Sequence, residues 1–237
     1  MEWLRTHLYP RASVVVMQTA HGREWLSSCI PAATGVVIPN PAAAPSAGYS
    51  RTPSAGRYRI LGVGRLDADK QFDKLIAAFS SLAIGHPDWE LQIAGEGPES
   101  DSLHRLTRRL GLEGRVTLLG KCTDISGLFQ TGDLFVSASR LEGFPNALME
   151  AMAHGLPVIA VDCMTGPRDI IRNGIDGLLV PPGQGAAGLA RAMDALMSSA
   201  TMRGEFSRQA VTVCERFSLD KIIEQWDRVL LLTKRKS

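Results

Sequence analysis

The sequence predicts an α/β fold built on a doubly wound parallel sheet, and three observations lead to this prediction. From Tyr58 onward, short apolar runs alternate with stretches whose apolar residues recur at helical spacing. Two of the runs, "LFVSA" and "PVIAV", are almost continuously apolar, which is typical of strands covered on both faces. The first run, "YRILGVGRL", leads through glycines into a helical stretch. Strands and helices that alternate in this way form a parallel sheet with helices on both faces.

Six strands are predicted in order along this region. The strand runs are "YRILGVGRL", "WELQIAGEG", "RVTLLG", "DLFVSAS", "PVIAVD" and "DGLLVPPG". The helical stretches between them are "KQFDKLIAAFSSLA", "ESDSLHRLTRRLGL", "DISGLFQTG", "NALMEAMAHG" and the turn "GPRDIIRNG". Three further helical segments follow, and the last is "LDKIIEQWDRVLLL". In such a fold ligands bind beyond the carboxyl ends of the strands, so the loops there are the candidate sites.

Residues 1–41 differ in texture from the rest of the chain. They have the pattern of helix, strand, helix and strand, with apolar runs at "ASVVVMQT" and "TGVVIPN". Residues 42–57 are rich in Pro, Ala, Ser and Gly and show no apolar periodicity. This composition predicts a linker or a loose loop.

Composition and charge exclude several classes of protein. The formal net charge is only +2, so a general nucleic-acid-binding surface is not expected. The four cysteines are far apart and form no C-x-x-C pair, which indicates reduced thiols and no metal site. No apolar run reaches the length of a membrane-spanning helix. We therefore expect a cytoplasmic protein, with a peripheral position at the inner membrane face as an alternative.

Arg65 and Lys70 lie between the end of the first predicted strand and the start of the next helix. An arginine binds phosphate oxygens bidentately and a lysine adds a point charge, so the two together can neutralise a diphosphate. The alternative is that both are solvated surface cations, as most arginines and lysines are.

The stretch "RLEGFPNALMEAM" places two carboxylates around a helix start near Pro145 and Asn146. Glu142 precedes the helix, and Glu150 lies about one turn inside it. Unpaired N–H groups and a partial positive charge at a helix start suit a phosphate, and Gly143 allows close approach of a ligand. Glu150 can then accept hydrogen bonds from ribose hydroxyls, and Glu142 from a sugar. Alternatively, both carboxylates only stabilise the helix start, by about 0.3–1 kcal/mol each.

Five segments taken in order resemble the nucleotide-binding half of the retaining glycosyltransferases of family four, which have the GT-B architecture of two Rossmann-like domains. The segments are "GRLDADKQFDKLIAAF", "LQIAGEGPE", "VTLLG", "EGFPNALMEAMAHGLPVIA" and "GPRDIIRNGIDGLLVPPG". The resemblance covers about residues 58–232. It implies a domain that binds a nucleoside diphosphate sugar and transfers the sugar, with retention, to a glycan or lipid-linked acceptor.

The resemblance also implies a role for each motif residue. Arg65 and Lys70, next to Gly64, match the basic pair that grips the donor diphosphate. Glu150 matches the glutamate that holds the ribose, and Glu142 matches the one near the transferred carbon. A turn that presents backbone N–H groups to the sugar and phosphates comprises Gly143, Phe144, Pro145 and Asn146. The positions where the nucleobase rests against backbone are Lys121 and Cys122.

The same resemblance implies how the chemistry is supplied and where it is used. The family usually works without a metal, so neither a metal nor another cofactor is expected. The stretch "TGPRDII" is similar to a subset that builds surface polysaccharides from UDP-linked sugars. One departure concerns the loop after the first strand, where Gln71 stands at a position that is usually glycine. This change is expected to alter the loop path without abolishing phosphate binding.

A second departure is length, because such enzymes have a whole N-terminal domain that binds the acceptor. Residues 1–41 resemble the tail of that domain, residues 58–217 the donor domain, and residues 218–237 the helix that crosses back, with a basic tail. On this interpretation the first 40 residues and the last helix expose apolar surface. A separate partner that carries the N-terminal domain, or self-association, would cover it.

Three other functions remain open on the sequence alone. The chain can be a donor-binding module, or a truncated subunit that transfers nothing by itself. It can be a nucleotide-sugar epimerase with the same architecture, although the paired-glutamate turn argues against that. A purely structural role is the third alternative, and the intact Arg, Lys and two Glu argue against decay of the site.

Overall fold

The computed structural model describes residues 2–45 and 56–234. Its strands are β1 (Val15–Met17), β2 (Gly35–Val37), β3 (Tyr58–Val63), β4 (Trp89–Ala94), β5 (Val116–Gly120), β6 (Leu134–Ser137), β7 (Val158–Val161) and β8 (Gly177–Val180). Its helices are α1 (Glu2–Leu8), α2 (Ala20–Cys29), α3 (Phe72–Leu82), α4 (Ser100–Arg109), α5 (Ile125–Gln130), α6 (Asn146–Ala153), α7 (Pro167–Ile170), α8 (Gly185–Ser198), α9 (Ala200–Ala210), α10 (Val213–Arg216) and α11 (Leu219–Lys234).

The predicted doubly wound parallel sheet is confirmed. Six strands pair in the order β5-β4-β3-β6-β7-β8, and every pair is parallel. The chain first builds outward from β3 to β5 and then returns to place β6 on the other side of β3. The crevice between the carboxyl ends of β3 and β6 is therefore the point where the strand order reverses, which is where ligands bind in such sheets. β1 and β2 form a separate two-stranded parallel sheet.

Two hydrophobic cores lie on opposite faces of the six-stranded sheet. Ile60 and Ile159 point into one core and their chain neighbours Leu61 and Val158 into the other, and all four are fully buried. Because successive residues of a strand face opposite sides, a strand covered on both faces needs an almost continuous apolar run. Helices α3, α4 and α8 cover the first face, and α5 and α6 cover the second.

A third, smaller core joins the two ends of the chain. Ile222 and Val229 of α11 pack with Ile38, against valines of the β1–β2 sheet. The adjoining face of α11 is exposed, with Leu219, Ile223, Trp226 and Leu230 between 43% and 57% accessible. Helix α1 likewise exposes Trp3, Leu4 and Leu8. The expected exposed apolar surface is thus present at both places, and its use in association stays a prediction.

The remaining expectations have mixed outcomes. Four helices follow β8 rather than three, because the single turn α10 separates α9 from α11. The predicted linker at 42–57 falls mainly on residues 46–55, which lie outside the described residues; residues 42–45 and 56–57 form neither helix nor strand. The division into four segments stays a prediction. No helix among the described residues combines the length and apolarity needed to cross a bilayer.

Candidate functional site

The loop after β3 is folded by the side chain of Asp67. Its Oδ1 accepts hydrogen bonds from the backbone N–H groups of Asp69, at 3.1 Å, and Lys70, at 3.2 Å. An aspartate that bonds to the backbone two residues ahead forms a tight turn. At Gly64 an added Cβ would lie 3.3 Å from Lys70 Cε, so the aliphatic part of Lys70 lies over the end of β3.

Gln71 gives this loop an unusual backbone conformation. Its φ is 50° and its ψ is 40°, and it is the one non-glycine residue with positive φ in the part of the chain that the structure describes. Glycine adopts this left-handed region readily, whereas other residues do so at a cost of about 1–2 kcal/mol. The chain thus keeps a glycine-like conformation at the position where the resemblance leads us to expect glycine.

Lys70 and Glu142 meet in the crevice between β3 and β6. Lys70 Nζ lies 2.7 Å from Glu142 Oε1, and the two side chains are 25% and 10% exposed. The adjacent residues hold the two loops together: the Arg140 N–H donates to the Asp69 carbonyl at 2.8 Å, and Arg140 Nη2 lies 2.8 Å from Asp69 Oδ1. Thr165 Oγ1 also donates to the carbonyl oxygen of Glu142. Two residues predicted to act on one donor are therefore in direct contact.

Helix α6 begins beside this pair, where the sequence predicted a helix start. Pro145 is its N-cap and provides no side-chain hydrogen bond, and no acidic residue lies in the first turn. The N–H groups and positive dipole end at Asn146 are thus left without a carboxylate, which suits an anionic ligand. A Cβ added to Gly143 would meet nothing within 4 Å.

Phe144 has a structural position within the same turn. It is 8% exposed, and its ring lies 6.1 Å from that of Phe217 in an edge-on contact. Its side chain therefore anchors the turn to the core. The predicted contact of the turn's backbone N–H groups with a donor stays a prediction.

A first cavity brings together four of the predicted residues at the carboxyl ends of β3, β4 and β5. It has a volume of about 230 Å³, and the predicted residues that line it are Gly64, Arg65, Lys121 and Cys122. The loops after β3 and β4 are pressed together here, because a Cβ on Gly95 would lie 1.8 Å from the Gly64 carbonyl oxygen. The Arg65 side chain is 73% exposed and therefore accessible to a ligand. Its Nε lies 3.7 Å from Asp67 Oδ2, which is a long contact for an ion pair.

Glu150 lines a second cavity of about 240 Å³ on the side of α6 that faces the N-terminal segment. Its other lining residues include Asn40, Pro41 and Asn146. Burial raises the pKa of the Glu150 carboxyl group, and the nearby His154 opposes this shift. Six of the predicted residues thus line the two cavities, and the Lys70–Glu142 pair lies at the crevice. The predicted turn residues Gly143, Phe144 and Pro145 line neither cavity.

Four residues near the site were not predicted from the sequence. Asp69 and Arg140 join the two loops. From the other sheet, Asn40 contacts Asn146 at the start of α6, and Gln18 contacts Asn40. Gln18 and Asn40 both follow strands at their carboxyl ends, the rule that identified the other loops. Applying that rule to the first 41 residues would have found them. In the part of the chain that is described, no group of three His, Cys, Asp or Glu is placed to hold a metal ion.

The sequence matches the model of one known protein family. Residues 51–212 match the model of the family described as glycosyl transferases group 1, which is more than half of the chain. The chain belongs to this family. The predicted family resemblance is thereby confirmed at the level of the group 1 glycosyl transferases.

Curated relatives of the chain include glycosyltransferases and one phosphotransferase. An exopolysaccharide phosphotransferase of Streptomyces coelicolor is 35% identical over 224 residues, which cover 93% of this chain and 23% of that protein. An amylovoran biosynthesis glycosyltransferase of Erwinia amylovora is 27% identical over 236 residues, 96% of this chain and 64% of that protein. The chain thus spans less than two thirds of the length of either relative.

Solved structures share the fold over nearly the whole chain. TarM of S. aureus, in a complex that contains UDP, aligns with a TM-score of 0.86 and 22% identity over 96% of this chain and 46% of its own. HepE of Anabaena, in complex with UDP and glucose, aligns with a TM-score of 0.81 and 24% identity over 97% of this chain and 66% of its own. At these identities the likeness establishes the fold.

Proposed function

We propose that the chain binds a nucleoside diphosphate sugar, preferably a UDP-linked one, and transfers the sugar with retention to a glycan or lipid-linked acceptor. The observation that carries this proposal is the contact of Lys70 with Glu142 at 2.7 Å in the crevice where the strand order reverses. A cation and a carboxylate that remain partly accessible there can bind a ligand that has both phosphates and hydroxyls.

The basic groups supply what breaking the glycosidic bond requires. Negative charge grows on the diphosphate as the bond breaks, and fixed positive groups that face it lower the barrier. Lys70 has three N–H donors, and within the described residues Glu142 takes one of them. Arg65 is largely exposed and can turn towards the phosphates. The start of α6 adds backbone N–H groups and the helix dipole.

The two cavities divide the rest of the donor between them. The base is assigned to the cavity at Lys121 and Cys122, and the ribose hydroxyls to Glu150 in the second cavity. Glu142, between them, is assigned to the transferred sugar. The diphosphate then lies across Lys70 and the start of α6. This placement requires no metal, because the positive charge comes from protein groups.

The comparisons support UDP as the nucleotide of the donor and polysaccharide synthesis as the biological process. Complexes with UDP are described for TarM and HepE, and the Erwinia relative is named for amylovoran biosynthesis. We further propose that the protein acts in the cytoplasm or at the inner membrane face, where soluble donors and lipid-linked acceptors meet.

A second candidate is favoured by the Streptomyces relative, which is named a phosphotransferase and extends far beyond the matched region. In that case this domain binds the donor, and a sugar phosphate rather than a sugar is transferred. The two reactions release different products. Glycosyl transfer breaks the bond between the sugar and the diphosphate and releases a nucleoside diphosphate. Transfer of a sugar phosphate breaks the bond between the two phosphates and releases a nucleoside monophosphate.

The test is a binding screen followed by product analysis. UDP, GDP and ADP, and their glucose derivatives, are titrated into the chain by calorimetry, and UDP and UDP-glucose are expected to bind most tightly. The released nucleotide is then identified by chromatography in the presence of candidate glycan acceptors. Release of UDP with an α-linked product from an α-linked donor supports retaining transfer, whereas release of UMP supports the second candidate. Failure of all three nucleotides to bind would overturn the proposal.

A further inference from the structure

We propose that Asn40, with Gln18 behind it, is a positioning residue of the donor site, an inference that rests on the proposed function. Asn40 Nδ2 donates to Asn146 Oδ1 at 2.9 Å, and Gln18 Nε2 donates to Asn40 Oδ1 at 2.6 Å. Gln18 directly follows β1, Asn40 follows β2, and Asn146 begins α6. The carboxyl ends of the two sheets are thus joined through three amide side chains.

The segment that carries Asn40 is fixed on both sides. Before it, Ile38 is 3% exposed, packs against α11, and donates its N–H to the Met17 carbonyl at 2.9 Å. After it, the Ala42 N–H donates to the Phe217 carbonyl at 2.8 Å. Phe217 in turn packs against Phe144 in the turn before α6. Asn40 is therefore held at a defined distance from the start of α6.

The amide chemistry makes Asn146 dependent on Asn40. A side-chain amide has one oxygen that accepts and one nitrogen that donates, so fixing one end fixes the other. Gln18 engages the oxygen of Asn40, which directs its nitrogen to Asn146. The oxygen of Asn146 is thereby occupied, and its two N–H donors remain for a ligand beside the backbone N–H groups of the helix start. These donors suit the oxygens of a diphosphate.

The amide side chains of Asn40 and Asn146 lie at the second cavity, which is the proposed ribose site. Asn40 and Asn146 line it together with Glu150, which is assigned to the ribose. The N-terminal segment thus forms one wall of the donor site rather than only a support for the fold.

The test compares nucleotide binding by Asn40→Ala and by a matched control, Asn173→Ala. Asn173 Oδ1 accepts from the Leu179 N–H at 2.9 Å in the turn before β8, away from both cavities, so the control also removes one side-chain hydrogen bond. Calorimetry uses UDP, GDP and ADP, and thermal unfolding checks that each variant is folded. We expect Asn40→Ala to weaken binding of the preferred nucleotide roughly three- to tenfold, and Asn173→Ala to leave it unchanged.

A double-mutant cycle separates positioning from a general loss of structure. If Asn40 acts through Asn146, the double variant N40A/N146A binds no more weakly than N146A alone. Equal losses by Asn40→Ala in both backgrounds would overturn the proposal, and so would wild-type affinity of Asn40→Ala. If Asn40→Ala does not fold, Gln18→Ala replaces it in the same cycle with a smaller expected loss. Failure of the unaltered chain to bind any of the three nucleotides would instead overturn the proposed function along with it.

Discussion

Two charged clusters lie at opposite ends of the strands of the six-stranded sheet, and they differ in how many of their hydrogen-bonding groups have protein partners. At the amino end of β8, Asp176 is fully buried; its Oδ1 accepts from the Arg172 N–H at 2.7 Å. Its Oδ2 lies 2.7 Å from Arg172 Nε and 3.2 Å from Arg216 Nη2. At the carboxyl ends of β3 and β6, Lys70 and Glu142 share a single contact of 2.7 Å.

This difference supports the proposal that the Asp176 cluster stabilises the fold and that Lys70 and Glu142 bind a ligand. Both oxygens of Asp176 are occupied by protein donors, so nothing remains for an outside molecule. Lys70 and Glu142 lie in an accessible crevice, and their one mutual contact leaves further N–H donors of Lys70 and acceptor positions of Glu142 for a ligand. A sequence-level count of charges treats the two clusters alike, whereas burial and partner saturation separate them.

The largest effect is expected from Asp176→Ala. It leaves the Arg172 and Arg216 guanidinium groups, which are 37% and 26% exposed, without their shared buried carboxylate. Loss of these charge-assisted hydrogen bonds should destabilise the protein by about 3 kcal/mol, less than for a fully buried pair. Urea unfolding followed by circular dichroism measures this loss. The folded fraction should bind UDP like the unaltered chain. A loss below about 1 kcal/mol, or a selective loss of binding, would show that the two clusters are not distinct.

The opposite result is expected from the double variant Arg65→Ala and Lys70→Ala. Loss of two charge-assisted contacts to a diphosphate should weaken UDP binding roughly 100-fold, measured by calorimetry. Its free energy of unfolding should fall by only about 1–2 kcal/mol, because Glu142 keeps some contact with solvent, at 10% exposure, whereas Asp176 is fully buried. The matched control, Arg105→Ala with Arg109→Ala on the exposed side of α4, removes the same charge. Equal affinities for the two double variants would contradict the assignment of the site.

The features of these two clusters that can be predicted from the sequence are those that depend on residues close together in the chain. The strands, the helix start at Asn146 and the loops of Lys70 and Glu142 follow from local periodicity and from strand order. The bond between Asn40 and Asn146 joins residues 106 positions apart, and local patterns carry no signal for it. The saturation of Asp176 likewise depends on Arg216, which α10 brings from 40 positions away. Tertiary packing decides both features.

A smaller, pH-dependent effect is expected from Glu150→Gln. Burial raises the pKa of this carboxyl group in the folded chain above its unfolded value, so the ionised form is less favourable in the folded state. Stability therefore falls as pH rises from the unfolded pKa through the folded pKa, and the ionised group destabilises the fold at pH 7.

Glu150→Gln should consequently unfold at higher urea than the parent at pH 7, with the difference vanishing below the unfolded pKa. UDP should bind roughly tenfold more weakly, because the charged acceptor for the ribose is lost. Denaturation at pH 4 and pH 7, with calorimetry at pH 7, measures both. A stability difference that does not change with pH would contradict the assigned cause, and unchanged affinity would contradict the ribose assignment.

The smallest effect is expected from Gln71→Gly, which tests whether the loop before α3 stores strain at the site. Relief of the left-handed conformation, worth about 1–2 kcal/mol, exceeds the entropic cost of a new glycine, about 0.5–1 kcal/mol. The variant should therefore be more stable by roughly 0.5–1 kcal/mol in urea unfolding. Gln130→Gly, at the last residue of α5, is the matched control and should be destabilising. Lys70 is adjacent to Gln71, so a change in the loop path would alter UDP affinity. Unchanged UDP affinity in Gln71→Gly would show that Asp67 sets the loop path and that glycine at this position affects only stability.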